Sequence, residues 1–176
     1  MTYKGDPIAE KLDKLADMTG VPAFQRRMQA RDPMRFRVLP AILLTLAVAG
    51  MAVQIGRGGL AGFWIVWAGW MGTFMCQPFG PMGRAAGRKL DEREAALVRH
   101  GHFHGMLWAL GVAVLGSLTI AFGTAWAALR MGGLWAPQTP MDWMTITLFL
   151  LAVETNVAVL AASAAMPEPL EDEEEP

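Results

Sequence analysis

Cysteine is nearly absent, with Cys76 alone in 176 residues. A single thiol excludes an internal disulfide framework and any CxxC redox or zinc pair. Histidine is confined to three positions in one short segment, His100, His102 and His104. There is no GxxxxGK[ST] phosphate loop, no HExxH, no GxSxG, and no GxGxxG set in a plausible βαβ unit. Those absences remove the best-known nucleotide, zinc-hydrolase and serine-hydrolase signatures. Charged residues make up only 18% of the chain, and the basic ones flank apolar blocks. Nucleic-acid binding is therefore a poor account of them. A non-catalytic role is expected ahead of an enzymatic one, with a membrane enzyme or redox subunit using the histidine segment kept as a third reading.

What the sequence does contain is apolar residues, 53% of the chain, gathered into long blocks. A helix needs about 20 mostly apolar residues to cross a bilayer core. Four blocks approach that length, at 38–54, 60–76, 106–129 and 144–166. They are apolar on every side, whereas a soluble bundle needs polar faces. The expected fold is all-α, an integral membrane bundle of four transmembrane helices arranged as two hairpins. Short amphipathic cytoplasmic helices are expected before the first and third spans.

Three polar segments frame these blocks. Residues 1–37 are polar and basic, too long for the n-region of a signal peptide, so the first block reads as a retained anchor. Within them Asp6-Pro7 marks a helix start, with Ile8, Leu12 and Leu15 on one face. The connector 77–105 opens with Pro78, Gly80, Pro81 and Gly83, which break a helix. Asp91 and Glu94 then have capping-box spacing, so a helix starts there and runs toward the third span. Gly101 and Gly105 read as its weak points. Arg57-Gly58-Gly59 forms a tight turn, and residues 130–143 form a loop holding Pro137 and Pro140. The tail 167–176 is acidic and reads as disordered.

Basic residues are unequally shared. Residues 1–37 and the connector hold thirteen of the fifteen Lys and Arg, leaving Arg57 and Arg130 for the other side. The positive-inside rule then places both termini in the cytoplasm, with a bacterial inner membrane the best fit. Arg26, Arg27, Arg31, Arg35, Arg37, Arg84, Arg88 and Lys89 are candidates for contact with anionic lipid.

Glu154 is the most informative residue. It lies near the middle of the fourth span, beside Asn156. Inserting an acid at mid-membrane costs about 2.5–3.5 kcal/mol. It is expected to face the bundle interior or a partner, near Ser117 and Thr119 of the third span. A proton path usually needs several ionisable groups, and no second one lies at that depth by residue counting.

His100 and His104 are four apart and share a helix face, while His102 points elsewhere. The pair is a candidate ligand set for a transition metal or haem. Simple interfacial histidine is the commoner role, and no cofactor is expected. Trp64, Trp67 and Trp70 form a stripe on the second span. Gly69 and Gly72 allow another helix to approach closely, as do Ala158 with Ala162. These faces serve packing within the bundle or contact with a partner. The expected partners are membrane lipids and other membrane proteins or further copies of the chain. The expected role is an accessory or assembly subunit. The alternative is a small transporter or channel with Glu154 in a proton or cation pathway.

Overall fold

The computed structural model describes residues 37–76, 80, 82, 90–129 and 134–166. The expected helix at 7–20, the lipid-facing candidates Arg26, Arg27, Arg31, Arg35, Arg84, Arg88 and Lys89, and the acidic tail lie outside the described residues. All the described helices belong to one unit, Met34–Pro176.

Four helices and no strand make up the described residues. They are α1 (Val38–Arg57), α2 (Leu60–Cys76), α3 (Glu92–Ala128) and α4 (Pro140–Ala164). Three of them, α1, α3 and α4, are long and apolar enough to cross a membrane. At 1.5 Å per residue the 20 residues of α1 measure about 30 Å, close to a hydrocarbon core. The 17 residues of α2 measure about 26 Å, slightly short of it. The 37 residues of α3 measure about 55 Å, far beyond it.

Local chemistry sets the helix ends. Asp91 accepts from the Glu94 amide and Glu94 reaches back to the Asp91 amide, so the capping box expected there is formed. From it α3 runs without a break through Gly101 and Gly105, so the amphipathic segment and the third span are one helix. The α4 start differs from expectation. Thr139 and Asp142 make a second capping box with Pro140 in the first turn, so the helix begins inside the segment read as a loop. Between α1 and α2, Gly58 and Gly59 take φ of 63° and 80°. Side chains rarely adopt those values, which is why a two-glycine turn closes this hairpin.

The helices pack as two antiparallel pairs, α1 with α2 and α3 with α4. A β-carbon added to Gly50 would stand 2.8 Å from the Val66 backbone nitrogen, and one on Gly69 would stand 2.9 Å from the Leu43 carbonyl oxygen. The α1–α2 pair is thus held backbone to backbone. The α3–α4 pair uses the same device, since a β-carbon on Gly101 would stand 2.7 Å from the Ala158 carbonyl oxygen. α4 also packs on α1 and α2, and α3 packs chiefly on α4.

The interior is built from small and polar side chains. Ala47, Ala152, Ala158, Val159 and Ala162 are buried, together with Gln54, Thr73, Asp142, Thr145, Asn156 and Ser163. The large apolar side chains point outward, among them Leu107, Trp108, Leu115, Phe122 and Trp126.

Candidate functional site

The segment His100-Gly101-His102-Phe103-His104-Gly105 places two kinds of residue on one helix at four-residue spacing. On α3 successive residues turn by about 100°, so Gly101 and Gly105 share one stripe and His100 and His104 share another. The glycine stripe faces α4. Gly101 meets Ala158 and Ala162, and Gly105 meets Ala158 and the Glu154 carbonyl. A small-xxx-small pair on each helix removes the side-chain bulk between the backbones. Met82 and Val98 close the surroundings of this seam with Ala158, Val159 and Ala162.

That close approach is what brings His102 to Glu154. His102 Nδ1 lies 3.1 Å from Glu154 Oε1, across 52 residues of sequence. The imidazole is 55% exposed and the Glu154 side chain 22%, so the pair sits at the flank of the seam. Glu154 therefore has an ionisable partner, which residue counting along separate spans did not reveal. The arrangement can hold one proton between a carboxylate and an imidazole, with the imidazole edge open to the outside.

Asn156 is fully buried and belongs to a different contact. Thr73 donates to its Oδ1 at 3.0 Å and also reaches the Gly69 carbonyl at 3.1 Å, while the Asn156 amide donates to the Ala152 carbonyl at 2.8 Å. Thr73 stands one turn before the end of α2 at Cys76. The register with α2 thus places Asn156 and Glu154 toward the connector end of the bundle. Counting along α4 by itself suggests its middle.

Ser117 and Thr119 are not brought to Glu154. Both are exposed on α3, and the Thr119 hydroxyl donates to its own Leu115 carbonyl at 2.8 Å. The reason is register: α3 meets Glu154 at Gly105, which leaves Ser117 about 18 Å further along the helix.

The other candidates are also placed. The His100 and His104 rings lie side by side, with centroids 4.2 Å apart, and His104 Nδ1 is 2.9 Å from the His100 carbonyl oxygen. Among the described residues no group of three or more His, Cys, Asp or Glu side chains is arranged to hold a metal. Gly69 and Gly72 lie against Leu43 of α1, and Gly69 also against Ala47. Trp64 and Trp67 are exposed and meet edge to face at 5.6 Å, whereas Trp70 pairs with Phe74 at 4.9 Å. Arg37, at the start of α1, is exposed.

At the opposite end from Thr73 and Asn156 lies a polar tie that sequence reasoning missed. Gln54 donates to Asp142 Oδ1 at 2.6 Å, while Oδ2 accepts from the Gln138 and Thr139 amides and the Thr139 hydroxyl. The carboxylate closes the α4 capping box and fastens it to the end of α1. The Gln54 Oε1 atom is buried with no hydrogen-bond partner. The signal for this tie was the Thr-Pro-Met-Asp spacing at 139–142, which has the form of a capping box. A cavity of about 480 Å³ opens beside it, lined by Gln54, Leu60, Trp135 and Met141 among others.

Comparison with protein-family models, with curated proteins and with solved structures finds no match to this chain.

Proposed function

We propose that the chain is a non-catalytic membrane component, inserted by four spans with both ends in the cytoplasm of a bacterial cell. In this reading it assembles with other membrane proteins or with further copies of itself. The observation that carries the reading is the outer half of α3. Leu107, Trp108, Leu110, Leu115, Phe122 and Trp126 are each more than half exposed, and nothing approaches Gly111 or Gly116 within 4 Å. Lipid alone would cover large apolar side chains. This stretch also carries Ala109, Ala113, Ser117, Ala121 and Ala125 at every fourth position, a pattern suited to a close helix partner. The inside-out distribution of side chains and the bias in Lys and Arg support insertion and orientation. Arg37 and the neighbouring basic residues would rest on anionic lipid headgroups.

Native mass spectrometry of the chain extracted in mild detergent at endogenous level tests this. A complex is expected, and Ala121→Leu should weaken it by blocking close approach. A lone monomer under those conditions would overturn the proposal.

A second reading is favoured by the contact between His102 and Glu154. A carboxylate paired with a half-open imidazole can pass a proton, as a small transporter or channel would require. Proton flux into liposomes, lost in Glu154→Gln, would support it. Equal flux in the two proteins would remove it.

A further inference from the structure

We propose that His100 and His104 form a two-imidazole clamp for a divalent transition-metal ion, with copper(II) the tightest binder. Three observations converge on this. The spacing is the first: two histidines four apart on a helix project from one face and can reach a common ion, as in helical zinc sites. The second is the ring geometry. The centroids are 4.2 Å apart and the planes are inclined by 47°, so the rings are neighbours without lying flat on each other.

The third is the proton inventory. A backbone carbonyl only accepts, so the 2.9 Å contact to the His100 oxygen places a hydrogen on His104 Nδ1. Neutral His104 then keeps its lone pair on Nε2, the form a metal requires. A carbonyl holding the far nitrogen of a ligating imidazole is the usual outer-sphere partner in metal sites.

His102 does not compete. It sits on the other flank of the Gly101–Gly105 stripe and is engaged by Glu154. The three histidines thus divide into one helix-to-helix contact and one pair left over. His100 is exposed, so an ion reaches the clamp from outside. The clamp uses two protein ligands, and water fills the other positions. Imidazole suits copper, zinc and nickel, and among divalent ions affinity peaks at copper. The clamp does not depend on the assembly reading.

The test uses the full chain in detergent micelles, carrying no polyhistidine tag, titrated with copper(II) sulfate and followed by electron paramagnetic resonance. One copper(II) per chain with coupling to two nitrogens is expected. His100→Gln and His104→Gln should each lower the apparent affinity by about tenfold or more, whereas His102→Gln should leave it unchanged. Melting of the metal-free variants checks that each is folded, and copper should raise the melting temperature only where both clamp histidines are present. If native protein binds copper no more tightly than the His100→Gln, His104→Gln double variant, the clamp is overturned. Equal loss in His102→Gln would overturn it as well.

Discussion

Gly105 of α3 rests directly against the carbonyl oxygen of Glu154 on α4, and a β-carbon at that position has no room. The contact joins backbone to backbone, so neither helix can yield by turning a side chain. It also sets the distance at which His102 meets the Glu154 carboxylate.

Gly105→Ala is therefore expected to destabilise the bundle by about 1–3 kcal/mol, the usual cost of overpacking. Gly111 lies six residues further along the same helix with nothing within 4 Å. Gly111→Ala should be neutral or stabilising by up to about 1 kcal/mol through helix propensity. Unfolding of both variants in a denaturing-detergent titration checks the contrast. Equal effects at the two positions would contradict the close packing.

The link between Thr73 and Asn156 should respond asymmetrically. Asn156→Leu leaves the Thr73 hydroxyl bonded to the Gly69 carbonyl. Thr73→Val leaves the Asn156 oxygen buried without its donor. The second change should cost about 1–3 kcal/mol for the orphaned acceptor, whereas the first leaves no such orphan. The overfilling by leucine is controlled by Asn156→Ala. The same detergent titration, run on all three variants, gives the order.

Asp142 combines a helix cap with a tertiary tie. Asp142→Ala removes the acceptor for Gln54 and for the amides of Gln138 and Thr139 at once. A lost cap costs about 1 kcal/mol and a stranded buried donor about 1–3 kcal/mol more. Gln54→Leu should cost less, because Asp142 keeps its other donors and the unpartnered Gln54 oxygen disappears. Thermal melts in detergent should rank Asp142→Ala well below Gln54→Leu.

His102 and Glu154 should be coupled, but weakly in stability. More than half of the imidazole is open, at 55% exposure, so a double-mutant cycle is expected to give no more than about 1 kcal/mol. Glu154→Gln keeps a hydrogen-bonding group facing His102. Nitrogen NMR of the His102 ring should nevertheless change between native protein and Glu154→Gln. An unchanged ring spectrum would show that the two side chains do not meet in solution.

Much of this was legible in the chain itself. The apolar blocks, the turn at Gly58 and Gly59, and the capping box at Asp91 are local signals, and each appears where residue types demand it. The α4 start was misjudged because Pro140 looked like a loop residue. Pro is equally at home in the first turn of a helix, and Thr139 with Asp142 supplied the cap. Gly101 and Gly105 were judged by propensity, which penalises glycine. Their value lies in letting Ala158 and Glu154 approach, a benefit that no single-helix argument contains.

Residue order by itself determined that the described chain is helical and where three long apolar helices run, because helix formation depends on neighbours within a few positions. It also determined that His100 and His104 share a face. The tertiary structure decided which polar groups meet. Relative sliding of two helices is set by where their small residues match, and one turn of slip moves a side chain by about 5.4 Å. That register gave Glu154 to His102, Asn156 to Thr73 and Asp142 to Gln54, and left Ser117 and Thr119 on the outside.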